Sequence, residues 1–77
     1  MTKKMPDKQT GRDLIARNLS ELMAKKALSD AELGRQLGHS RVTIWRWRMG
    51  KLEPFGESRD SLAAALKVPI ARLYQAS

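Results

Sequence analysis

The sequence predicts an all-α domain of five short helices. Apolar residues recur at three- and four-residue steps in successive short segments. Hydroxyl residues or a proline stand at the segment starts, and glycines stand at two of the ends. Nowhere do apolar and polar residues alternate as they do in a half-buried strand. A chain of 77 residues has room for a single core.

The elements follow in order. Residues 1–9, MTKKMPDKQ, hold three lysines, one aspartate, a proline and little to bury. They read as a flexible basic N-terminal arm, and residues 10–77 as the folded domain. Thr10-Gly11-Arg12-Asp13 has the spacing of a helix start, with the Thr10 hydroxyl accepting an amide hydrogen of the first turn. Leu14, Ile15, Leu19, Leu22 and Met23 give this first helix one apolar face, and Lys25 and Lys26 suit its negative C-terminal end. Ser29-Asp30-Ala31-Glu32 repeats the capping spacing for a second helix, which runs to about Leu37 and stops at Gly38. Ser40 caps a third helix that reaches about Met49, ahead of Gly50. Glu53, Pro54 and Gly56 form a loop, and Ser58 or a neighbour opens a fourth helix through residues 62–66. Pro69 suits the first turn of a short fifth helix carrying Ile70, Leu73 and Tyr74.

Composition excludes several functions. There are no cysteines, so disulfides, thiolate chemistry and cysteine-based zinc sites are out. The single histidine, His39, cannot build a histidine metal site, and the eight carboxylates are scattered among caps and exposed positions. No cofactor or small-molecule ligand is implied, and the expectation is a protein that is not an enzyme. The longest apolar run, residues 62–66, is five residues, against the roughly 18–20 a membrane span needs. The N-terminus lacks the apolar stretch of a secretory signal, and absence of cysteine fits a reducing, cytoplasmic location.

Charge points the other way, to a partner. Fifteen Lys and Arg against eight Asp and Glu leave a net +7. Nucleic acid or an anionic surface is the first partner to consider. Residues 33–52 contain five basic residues (Arg35, Arg41, Arg46, Arg48, Lys51) and no acidic one. On a wheel of about 100° per residue, Ile44 and Trp47 fall on the side that reaches a core. Val42, Trp45, Arg46 and Met49 fall opposite, with Arg41 between the faces. A face both cationic and apolar suits DNA, where Arg reads guanine edges and apolar atoms touch thymine methyls.

Two short helices joined by Leu37-Gly38-His39-Ser40 have helix-turn-helix spacing. The pattern Leu33-x-x-x-Leu37-Gly38-x-Ser40-x-x-x-Ile44-x-x-Trp47-x-x-Gly50 resembles the phage repressor and Cro family, also called XRE-type helix-turn-helix proteins. Glu53-Pro54-x-Gly56-Glu57 and Leu62-Ala63-x-x-Leu66-x-Val68 are similar to the same family's fourth helix and its approach to the fifth. The resemblance spans roughly residues 13–74 and rests on the spacing of several anchors, not on any one residue. It implies a lambda-repressor-like helix-turn-helix bundle that binds double-stranded operator DNA as a homodimer, with the third helix in the major groove. Arg41, Val42 and Arg46 occupy positions where the family makes base contacts, and Ser40 and Thr43 positions where phosphate contacts are common. Lys3 and Lys4 resemble the basic arms of some phage repressors.

The chain departs from the family at three points. The family often has a phosphate-clamping Gln where Asp30 stands; an aspartate repels phosphate, so Asp30 is assigned to capping. Gly34 replaces a common Ala, at about 1 kcal/mol of helix propensity in exchange for close approach. An Arg–Glu ion pair of many members falls on Met23 and Arg48, so both halves are missing and Arg48 is free for a phosphate.

Plainer readings stand beside these. Trp47 belongs to the core with Ile44. Trp45 either packs on the arm, the fourth helix or a dimer partner, or contacts sugar, phosphate or a thymine methyl. Arg41, Arg46 and Arg48 are either a solvated face or DNA contacts, and Lys3, Lys4 and Lys8 a solubility tail or a DNA arm. His39 reads as solvated or near phosphate. The expectation is sequence-specific operator binding and transcriptional repression by a small phage or bacterial regulator, with Arg41, Val42, Trp45 and Arg46 at bases and Ser40, Thr43, Arg48 and Lys51 at phosphates. The chain ends directly after the DNA-binding fold, so a separate oligomerisation or ligand-binding domain is not expected. The rivals are an antitoxin of a toxin–antitoxin pair, a nonspecific cationic binder of RNA or lipid surfaces, and a protein-interaction scaffold.

Overall fold

A computed structural model describes residues 11–76. The expected arm, the lysines Lys3 and Lys4 within it and the Thr10 cap lie outside the described residues. Five helices follow one another: α1 (Gly11–Lys26), α2 (Asp30–Leu37), α3 (Arg41–Arg48), α4 (Glu57–Leu66) and α5 (Ile70–Leu73). The all-α class and the number of elements are as the periodicity predicts.

Local chemistry sets the ends of α2. The Ser29 hydroxyl accepts from the Glu32 N–H at 3.1 Å, and the Glu32 carboxylate accepts from the Ser29 N–H at 3.0 Å. That reciprocal pair satisfies two amides with no other helical partner. It also holds the Glu32 carboxyl below its ordinary pKa, chiefly through the Ser29 backbone N–H and then its side chain. Gly38 closes the helix at φ +75°, a left-handed conformation that a side chain disfavours, and its N–H returns to the Gly34 carbonyl. Gly34 is needed for a different reason. A Cβ there would stand 2.6 Å from the His39 carbonyl oxygen, well inside contact distance, so α2 and the turn meet only because the side chain is missing.

The core forms where α1, α2, α3 and α4 converge. Ile15, Leu19, Leu33, Ile44, Leu62, Leu66 and Leu73 are fully buried, with Leu22, Met23, Ala63 and Trp47 close behind. α3 packs on both α1 and α2, while α4 packs on α2 and α5 returns to α1. Asn18 is the buried polar residue of this interior, 3% exposed. Its amide donates to the Leu73 and Gln75 carbonyls at 2.8 and 2.9 Å, and its oxygen accepts from the Arg72 guanidinium at 2.9 Å. A short α5, unable to hold itself by its own ladder, is thereby tied to the middle of α1.

Several boundaries differ from expectation. α3 ends at Arg48 with Met49 as its cap, because the chain turns back there with the Lys51 N–H on the Arg46 carbonyl at 2.8 Å. α4 starts at Glu57 after Gly56, with no side-chain cap, and Ser58 lies inside its first turn. Pro69 caps α5 from just outside it instead of standing in its first turn, and Ile70 is exposed. Leu14 is only partly buried, at the edge of the α1 face.

Candidate nucleic-acid interface

α3 presents two faces of opposite character because apolar and cationic residues alternate along it at about 100° per step. Ile44 is 0% and Trp47 2% exposed, while Trp45, two residues away, is 39% exposed. The inner pair anchors the helix to α1 and α2. The outer face carries Val42, Trp45, Arg46 and Met49, with Arg41 exposed at its edge. The structure thus brings the four expected base-contact residues onto one solvent-facing surface. Neither Arg41 nor Arg46 has an ion-pair partner among the described residues.

The N-terminal end of α3 is built by its cap. The Ser40 hydroxyl accepts from the Thr43 N–H at 3.2 Å, and the two hydroxyls lie 3.2 Å apart. Both expected phosphate-contact hydroxyls therefore stand together at the helix N-terminus, where the helix dipole favours an anion, but Ser40 already serves as a cap acceptor.

Arg48 corrects an expectation. It is not without a carboxylate: its Nε and Nη2 donate to the two Asp30 carboxylate oxygens at 2.9 and 2.8 Å. The hydrogen bond to Asp30 raises the Arg48 pKa above its ordinary value, against a smaller effect of burial. This two-point pairing joins the start of α2 to the end of α3 and fixes both the rotation and the tilt of α3. Asp30, expected as a capping residue, takes this role while Ser29 does the capping. The partners are 18 residues apart, and the only sequence signal was a carboxylate left over at a helix start and a cation left over at a helix end.

Lys51 was expected at a phosphate. The turn after α3 carries its ammonium over the Trp45 ring, 5.8 Å from the centroid. Such a contact contributes about 0.5–1 kcal/mol when exposed and holds the indole against the helix end. His39 differs as well. It is half-buried, its ring edge-on to Trp47 at 5.2 Å and its Nε2 3.4 Å from the Ser58 hydroxyl, so it braces the turn instead of projecting into water.

Among the described residues no three His, Asp or Glu side chains gather as a metal site, and no helix is long and apolar enough to cross a membrane.

No family model matches the chain, and no curated protein matches it. A solved structure does: the crystal structure of a hypothetical transcription factor, NHTF, from Neisseria. It superposes with a TM-score of 0.81 and 27% sequence identity over 95% of this chain and 84% of that one. The protein is an all-α bundle of five short helices with a helix-turn-helix-like fold, similar to that transcription factor.

Proposed function

We propose that this protein is a sequence-specific DNA-binding transcriptional regulator that acts by binding and carries out no catalytic step. The outer face of α3 carries the reading. It combines unpaired Arg41 and Arg46 with exposed Val42, Trp45 and Met49, on a helix held rigid by Trp47 beneath and the Asp30–Arg48 pair at its flank. Arg in the major groove reads guanine O6 and N7, and phosphates take the remaining cations. Ser40, Thr43 and Lys51 flank the face as phosphate-contact residues, and Lys3 and Lys4 are further candidates for DNA contact. Arg48, already compensated by Asp30, contributes to phosphate attraction only at long range. The similarity to a hypothetical transcription factor supports the same reading.

The finer form of the proposal is a Cro-like homodimer in the cytoplasm of a bacterial or phage-infected cell. Its two α3 helices enter successive major-groove faces, and it represses by excluding polymerase from an occupied operator. Selection of bound sites from random DNA, in excess nonspecific competitor and at fixed salt, tests it. The expected result is a palindrome with half-site centres about 10 bp or a whole number of turns apart. A single unrepeated half-site would remove the dimer. Retention without enrichment of any sequence, abolished by salt, would identify a nonspecific cation binder instead.

A further inference from the structure

We infer that the outer ridge of α3 recognises thymine C5-methyl groups, and that a notch between Val42 and Trp45 seats one of them. The inference rests on the DNA-binding reading above and names the chemistry that the face selects. Val42, Trp45 and Met49 stand at i, i+3 and i+7 and are 47%, 39% and 51% exposed, so they form one continuous apolar ridge along the helix. Arg41, Arg46 and Lys51 flank it. An occupant must therefore be anionic overall yet present apolar groups that a helix can reach. A second copy of this chain fails that requirement, because it would set the same cations against each other. The major groove of DNA meets it, and the apolar group it offers there is the thymine methyl.

The notch refines the choice of base. It is an open depression of about 260 Å³ walled by Asp30, Arg41, Val42 and Trp45. Both Asp30 oxygens already hold Arg48, which offsets the carboxylate's charge. Arg41 is then the wall's charged hydrogen-bond donor, beside the indole N–H of Trp45. Thymine carries an O4 acceptor next to its methyl, so a methyl against Val42 and Trp45 sets O4 toward Arg41. Cytosine presents an amino donor at that place and gains nothing from Arg41. Lys51, in the turn that follows α3, lies 5.8 Å from the Trp45 ring centroid and holds the indole as a wall of the notch.

The test uses the best selected site, with each thymine replaced in turn by deoxyuridine, which removes the methyl and keeps O4 and base pairing. At one or more positions per half-site, affinity is expected to fall about fourfold, the equivalent of burying one methyl group. In the Val42→Ala or the Trp45→Ala variant, thymine and uracil should bind alike at such a position. Both residues are exposed, and circular dichroism verifies that the variants fold. Affinities within twofold for every uracil substitution, or a uracil effect undiminished in both variants, would overturn the inference while leaving DNA binding intact. Failure to bind any DNA would overturn both readings together.

Discussion

The outer face of α3 and the α5 end of the molecule are both rich in polar side chains, and they use them in opposite ways. Where α5 returns to α1, the hydrogen bonds close on the protein. Asn18 spends its amide and its oxygen on Leu73, Gln75 and Arg72, and Arg72 reaches on to Glu21 at 3.3 Å. Tyr74 accepts from Arg59 at 3.1 Å and donates to Glu53 at 3.2 Å, which ties α4 and the loop before it to the same end. On α3, Arg41 and Arg46 project outward beside exposed Val42, Trp45 and Met49. A guanidinium closed on internal acceptors holds a fold together. One left in water, on a rigid helix and beside apolar side chains, retains its capacity for a ligand.

The sharpest way to break this contrast is through the two tryptophans. Trp47→Ala should cost about 3–5 kcal/mol, most of what so small a domain possesses, whereas Trp45→Ala should cost no more than about 1 kcal/mol, the size of its exposed contact with Lys51. Thermal melts of both variants decide it. A normal melt for Trp47→Ala with an unfolded Trp45→Ala would contradict the burial seen here.

Next comes a crossed pair, Asn18→Leu against Arg46→Ala. Asn18→Leu strands the buried Leu73 carbonyl and removes the part-buried bond to the Gln75 carbonyl, and should cost about 1–3 kcal/mol of stability, with base preference unchanged in the protein that remains folded. Arg46→Ala should melt normally and lose about 1–3 kcal/mol of discrimination at one base pair per half-site. If Arg46→Ala instead weakens all sequences equally, that Arg is a phosphate contact.

Gly34→Ala should lower stability by about 1 kcal/mol, measured by denaturant titration. The propensity gain of about 1 kcal/mol is outweighed by a clash that costs about 1–3 kcal/mol when backbone must shift. A stabilised variant would mean that the His39 carbonyl moves away at no cost.

The smallest effect concerns the pair that joins the two kinds of region. Asp30→Asn should cost at most about 1 kcal/mol of stability, because the pair is partly exposed. It also removes a negative charge beside the α3 face, so nonspecific DNA affinity should rise and its salt slope should steepen by about one unit. A salt titration that shows weaker binding would mean that positioning of α3 outweighs the released charge.

Features that depend on near neighbours could be read from the residues alone. The capping box at Ser29 and Glu32, the left-handed stop at Gly38, the Ser40 cap and the 200° that separates Trp45 from Trp47 are all set within a few residues, so spacing alone reveals them. The same is true of the all-α class and of most of the core. The starts of α4 and α5 were less legible, since neither has a side-chain cap to mark it. Which distant polar groups meet depends on the packed fold. Asp30 looked like a cap and Arg48 like a spare cation until the crossing of α2 and α3 set them 2.8 Å apart. Asn18 gave no sign that it would anchor α5, and Lys51 none that the turn after α3 would fold it over Trp45. Helix periodicity records which face of a helix is buried, but the partner across that face depends on how the helices cross, and the crossing is settled by the packing of the whole core.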